Sequence, residues 1–138
     1  MQTTFTIPTR GPGLTEFTRP VADWLPADAD GLLTLFVRHT SASILIQENA
    51  DPEVQDDLLA WLSRLVPPTT DPSMGYLTHT YEGPDDMPGH IKAMLLPTSL
   101  SIPVADGRMA LGRWQGLYLF EHRDRPHRRE VAAHLLRG

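Results

Sequence analysis

One stretch of the chain can only be a helix: Val54, Leu58, Trp61, Leu62 and Leu65 repeat at helical spacing, with Asp51 placed as N-cap, Pro52 at the first position and Pro67-Pro68 as the stop. Glu53, Asp56 and Arg64 occupy its opposite face. The runs around it have the other periodicity. Gly31 opens Leu32–His39, in which Leu33, Leu35, Val37 and His39 share one side of a strand, and Ala42–Glu48 follows as a second strand beside it or continuing it through a bend. An amphipathic helix set among strands must bury one face against a sheet, and this excludes an all-helical or all-β chain.

The remaining elements fill in around that core. Thr3–Ile7 reads as a strand ended by Pro8 and the Gly11-Pro12-Gly13 turn. Leu14–Leu25 has helical spacing, with Leu14, Phe17, Val21 and Trp24 on one face, and Pro20 either delays its start to Thr18 or kinks it. Tyr76–Tyr81 reads as a short strand, and the acidic turn Glu82–Asp86 starts a helix to about Leu96 with Met87, Ile91, Met94 and Leu95 inward. Leu100–Val104, the Asp106-Gly107 turn and Arg108–Leu111 make a hairpin; Trp114–His122 is a strand, and Arg128–Leu136 is placed to return beside it. Without a βαβ rhythm this order is α+β rather than doubly wound.

At 138 residues and 41% apolar content the chain is expected to form a single domain over residues 1–138. Cysteine is absent, so a metal site must use His, carboxylate or water. No apolar run reaches the roughly 18 residues of a membrane helix, and the first residues lack a basic start followed by an apolar stretch. The chain is therefore read as starting near Met1, with the cytoplasm as expected compartment and no membrane partner. A net charge of −5 disfavours nucleic acid. The last 18 residues depart from that balance with five Arg against three acids, which suggests a solvated hairpin with His122, His127 and His134 at the surface. Lys92 is the only lysine.

Two stretches can carry chemistry. His39-Thr40-Ser41 with Gln47, Glu48, Asn49 and Asp51 offers hydroxyls, amides and an imidazole, suited to an oxyanion or to proton transfer, or else simply to a turn. His79, Glu82, Asp85, Asp86, His90 and Lys92 concentrate two imidazoles, three carboxylates and an amine, and Asp86 and His90 sit four apart on one helix face. That mixture suits zinc, manganese or magnesium, but the spacing is not a standard zinc signature, and Asp85 or Asp86 can equally serve as a helix cap. Ser99 and Gln115 are weaker candidates, better read as core hydrogen-bonding residues. Gly-rich phosphate loops, nucleophile elbows and dinucleotide fingerprints are absent.

Three blocks in order, HTSASILIQENADPEVQDDL (39 to 58), HTYEGPDDMPGHIKAMLL (79 to 96) and IPVADGRMALGRWQGLYLFEHR (102 to 123), resemble the YjbQ-like family. Gly89 stands where alanine is common, and Ser41 where threonine is common. The resemblance implies an α+β fold with a mixed or antiparallel, sandwich-like or barrel-like sheet and flanking helices, assembled as a homotrimer with sites near subunit boundaries. It also implies an enzyme of small molecules, since similar proteins are described as secondary thiamine-phosphate synthases. The family's histidines fall on His39, His79 and His90, its acidic turn on Glu82, Asp85 and Asp86, and its tryptophan-glutamine pair on Trp114 and Gln115. The expected roles are catalysis by His39, Glu82 and His90, anion binding by Thr40, Ser41, Lys92 and Gln115, and a divalent metal (Zn, Mg or Mn) on His79, Asp86 and His90, with a phosphorylated small molecule as partner. A non-enzymatic phosphate or metabolite sensor and a metal-dependent phosphohydrolase are the alternatives.

Overall fold

The structure, a computed structural model that describes residues 1–138, keeps the expected strand alternation in the long strands of its larger sheet but not in Ala42–Glu48 or Gln115–Glu121, the latter buried at every position after its first. Two antiparallel sheets face one core. The larger contains β1 (Gln2–Thr9), β8 (His127–Arg137), β3 (Gly31–Val37), β5 (Ser99–Ala105) and β6 (Arg108–Met109) in that spatial order, and the smaller contains β2 (Gly13–Glu16), β7 (Gln115–Glu121) and β4 (Ala42–Glu48). Inward residues of both sheets, among them Leu33, Leu35, Ile44, Leu117, Leu119, Val131 and Leu135, form a single apolar cluster. The architecture is thus the expected α+β sandwich-like arrangement, with every strand pairing antiparallel. No helix is long and apolar enough to cross a membrane.

Several expectations are corrected. Leu14 belongs to β2, opposite Phe120, while the delayed start stands as one of the two expected readings: the helix α1 (Thr18–Trp24) begins at Thr18 and takes Pro20 in its first turn. β4 pairs with β7 rather than with β3. The Arg-rich ending is no solvated hairpin: β8 lies between β1 and β3, since Val131, Ala133 and Leu135 alternate inward while the arginines beside them mostly point out. His122 is likewise buried rather than at the surface. Tyr76–Tyr81 forms no strand; both tyrosines are exposed beyond a single 3-10 turn, Pro72–Met74. The Asp106-Gly107 hairpin stands as expected, with φ of 51° and 73° at its two central residues, the mirror-image turn that suits the twist of paired strands.

The helices depart most from their patterns. α2 (Pro52–Leu65) is capped by Asp51, which accepts from Glu53 N at 3.0 Å, yet only Leu62 of its stripe is fully buried, and Trp61 and Leu65 are exposed. α3 (Asp86–Leu95) turns its apolar side outward: Met94 and Leu95 are exposed, while Asp86, Gly89, Lys92 and Ala93 face the protein. Gly89 lies on this packed side, where a Cβ would stand in ordinary contact 3.4 Å from Arg123 Cδ and 3.5 Å from Ser41 Cβ, just beyond the ends of β7 and β4.

Candidate functional site

The acidic turn before α3 delivers Asp86 to the first turn of the helix, and one helical turn later comes His90 on the same face. Asp86 is buried, with its side chain only 4% exposed, whereas the histidines beside it are about one-third exposed at 37% (His79) and 34% (His90). Asp86 Oδ2 lies 3.1 Å from His79 Nε2 and 3.4 Å from His90 Nε2. The other oxygen, Oδ1, accepts from Arg123 Nη1 at 2.8 Å. His79 Nε2 also sits 2.8 Å from Glu82 Oε2; since carboxylate oxygens only accept, this nitrogen carries the proton in the described arrangement. Tyr81 packs edge-on against the same ring at 4.6 Å between centroids.

Arg123 fixes the turn from below. Its Nε donates to Asp85 Oδ2 at 2.9 Å and its Nη2 to the Glu82 carbonyl at 3.2 Å, so one guanidinium locks both aspartates and the turn between them. Burial tends to raise the Asp85 pKa, but the Arg123 hydrogen bond and the Asp124 backbone N–H outweigh it and hold the carboxyl below its ordinary value. The same pair raises Arg123 above its own ordinary value.

His79, Asp86 and His90 present one ligand atom each within 4.8 Å of one another. Two imidazoles and a carboxylate are a common donor set for an open divalent site. With bonds of about 2.0–2.2 Å, neighbouring ligand atoms around a tetrahedral ion stand roughly 3.3–3.5 Å apart. The two measured separations to Asp86 fit that spacing to within a few tenths of an ångström. Asp86 is also oriented by Arg123, as ligating carboxylates usually are by an outer partner.

The other expected site residues are placed elsewhere. β3 ends at Val37, and His39 lies beyond it, half-buried, with Nε2 accepting from Glu130 N on β8 at 2.8 Å; burial and then Arg129 lower its pKa. Thr40 is exposed. Ser41 is buried and its Oγ accepts from Arg129 Nη2 at 2.9 Å. Gln115 is exposed and accepts from Gly112 N at 2.7 Å, which is a local turn bond rather than a core one, and Ser99 is exposed on β5. Lys92 is buried on a different face of α3 from His90, two residues and some 200° around the helix.

Two polar residues that carry this region, Arg123 and Glu121, were not singled out from the sequence. Arg123 braces the candidate centre. Glu121, only 1% exposed, accepts from Thr9 at 2.6 Å, from Arg129 Nε at 2.8 Å, and through Oε2 from Arg129 Nη2 and the backbone N–H groups of His122 and Arg123. Burial acts to raise the Glu121 pKa, yet the Arg129 and Thr9 hydrogen bonds prevail and lower it. The available signal was Glu121-His122-Arg123 directly following the apolar run Leu117–Phe120, where the strand pattern has no solvent-facing reason for three polar residues.

The family model described as UPF0047 protein YjbQ-like matches residues 3–138. The chain is 54% identical over 105 residues to UPF0047 protein sll1880 of Synechocystis sp., covering 76% of this chain and 69% of that protein. It is 44% identical over 120 residues to UPF0047 protein YjbQ of Escherichia coli O157:H7, covering 87% of this chain and 83% of that one. Among solved structures, the conserved hypothetical protein TT1486 from Thermus thermophilus superposes with a TM-score of 0.84 at 36% identity, over 97% of this chain and 99% of that one.

Proposed function

This chain belongs to the YjbQ-like UPF0047 family, and we propose that it is an enzyme of phosphorylated small molecules whose centre is a divalent metal site on His79, Asp86 and His90. One observation carries this reading: a buried carboxylate, braced from behind by Arg123, turns its other oxygen toward two half-exposed imidazoles. The carboxylate itself is buried, and solvent reaches the cluster through the partly exposed rings of His79 and His90. An ion held there supplies Lewis-acid stabilisation of negative charge on phosphate oxygens.

The chain's own residues define the rest. A metal on His79 would need Nε2 free of its proton, and Glu82, 2.8 Å away, is the carboxylate placed to accept a proton there or to exchange one with a bound substrate. Arg123 holds Asp86 in place through its 2.8 Å hydrogen bond to Oδ1. His39 lies outside this cluster and contributes only if a neighbouring subunit brings an equivalent residue to it, which is how a homotrimer would complete the site.

The reaction suggested by the family resemblance is secondary thiamine-phosphate synthesis. There the pyrimidine methylene carbon bonds to the thiazole nitrogen while its bond to the diphosphate oxygen breaks, and pyrophosphate leaves carrying the electron pair. The Asp86 centre is suited to that leaving group. The test is equilibrium dialysis of metal-stripped protein against zinc, manganese and magnesium, followed by product analysis. About one ion per chain is expected, with His90→Ala lowering both affinity and turnover by roughly 10²-fold or more. Pyrophosphate released only when both thiamine precursors are supplied identifies the synthase; phosphate from a single substrate identifies a phosphohydrolase, and ligand stabilisation without product a sensor. Protein that binds none of the three ions refutes the metal site.

A further inference from the structure

Across α3 from the histidine cluster, under the end of α2, lies a second cavity of about 120 Å³, lined among others by Lys92, His122, Asp85, Asp124 and Ser63. Two of its lining groups are more than nine-tenths buried and have no partner. The side chain of Lys92, a residue 8% exposed, makes no hydrogen bond and enters no ion pair, although its ammonium keeps some accessible surface. His122, 2% exposed, leaves Nδ1 as the only buried side-chain polar atom in the chain without a hydrogen bond. Buried polar groups are seldom left so, because each costs the full loss of its hydration.

The tautomer of His122 follows from its other nitrogen. Nε2 lies 2.9 Å from Ser43 Oγ, and Ser43 is fully buried with no other acceptor in reach. The hydroxyl is satisfied by donating to Nε2, which leaves the proton of the neutral ring on Nδ1. Both unpartnered groups are therefore donors, one of them cationic. Such a pair lacks an acceptor.

We propose that this cavity is a binding site for a small oxyanion, a phosphate or a carboxylate group, held by the Lys92 ammonium and the His122 Nδ1–H. The volume corresponds to about four water molecules at ~30 Å³ each, close to the size of such a group. Two carboxylates also line the cavity, and neither opposes the assignment. Asp85 is committed to Arg123 and to the Asp124 backbone N–H, and Asp124 is exposed at the rim, where solvent screens it. The site is independent of the histidine cluster and stands whether or not that cluster holds a metal.

The test is a titration with inorganic phosphate, and separately with acetate, at ionic strength held constant with chloride, read by thermal unfolding and by the 15N resonances of histidine. At tenfold over Kd the Tm of the wild type should rise by roughly 3 to 6 °C, and the His122 Nδ1 resonance should move along with it. Lys92→Met should lose the Tm response, and His90→Ala should retain it. Phosphate without acetate, or the reverse, tells which group the cavity selects. If Lys92→Met does not fold, the His122 resonance of the wild type decides alone. A His122 resonance that moves with neither anion overturns the proposal, as does a Tm response that survives in Lys92→Met or vanishes in His90→Ala.

Discussion

Two clusters built from the same side-chain chemistry stand side by side at the end of β7 and differ in one respect. Around Glu121, a carboxylate, a guanidinium, two hydroxyl side chains and backbone amides close on one another, and the carboxylate oxygens are saturated by Thr9, Arg129, His122 N and Arg123 N. Around Asp86 the carboxylate is just as buried, yet its Oδ2 meets only the edges of two imidazoles that reach solvent. Both are anchored by an arginine. Only the second keeps coordination capacity to spare, and this, rather than the presence of charged groups, separates a candidate site from a structural network.

The largest expected effect tests the saturated side of that contrast. Removing one member of a buried, fully bonded ion pair leaves the other charge stranded and typically costs about 3–5 kcal/mol. Arg129→Met should therefore lower the unfolding free energy by that amount in urea denaturation, with Glu121 left behind. A loss below about 1 kcal/mol would place the Glu121 network with ordinary surface pairs and dissolve the comparison.

Next in size is acid sensitivity. Burial, with the nearby Lys92 charge, drops the His122 pKa from its ordinary 6.5 to about 3. Between those values the unfolded chain binds a proton that the folded one refuses, so stability rises with pH and falls as the pH is lowered below about 6.5. The slope approaches 1.4 kcal/mol per pH unit, or on the order of 2 kcal/mol between pH 6.5 and 5. His39, also lowered, acts in the same direction, whereas Glu121 loses its contribution only in stronger acid, as the pH falls toward its depressed folded value. Unfolding curves at pH 7.5 and 5 should show the loss for the wild type, and His122→Gln should flatten it. An equally steep fall in His122→Gln would assign the sensitivity elsewhere.

What was legible in the sequence follows the range of the interactions. The cap of α2, the start of α3 and the meeting of Asp86 with His90 depend on residues a few positions apart, and spacing reads them directly. Strand alternation likewise exposed the inward face of β3, although His39 falls past its end. Pairing order did not follow, because β8 is drawn between β1 and β3 by an inner face no different in pattern from that of an edge strand. Arg123 was invisible as a brace for Asp85 and Asp86, since its partners are 38 and 37 residues away. α3 inverted its apolar pattern: Met94 and Leu95 advertise a core face, but the packed side carries Asp86, Gly89 and Lys92, and hydropathy carries no term for the long-range Arg123 contact that holds Asp86 there.

The smallest expected effect probes the open side of the comparison. Glu82 touches His79 at 2.8 Å, but its side chain is 51% exposed and the histidine 37%, so water replaces whatever the contact supplies. Glu82→Gln should leave the unfolding free energy within about 0.5 kcal/mol of the wild type, an order of magnitude less than the loss at Arg129. The same substitution keeps a side-chain oxygen near His79 while removing the proton acceptor, so its effect belongs in turnover and in the pH at which turnover begins. The two measurements made on one purified variant decide the matter. A Glu82→Gln protein destabilised by more than about 2 kcal/mol would mean that the acidic turn is held together as Glu121 holds its neighbours, and that the histidine cluster is a second closed network with no coordination capacity in reserve.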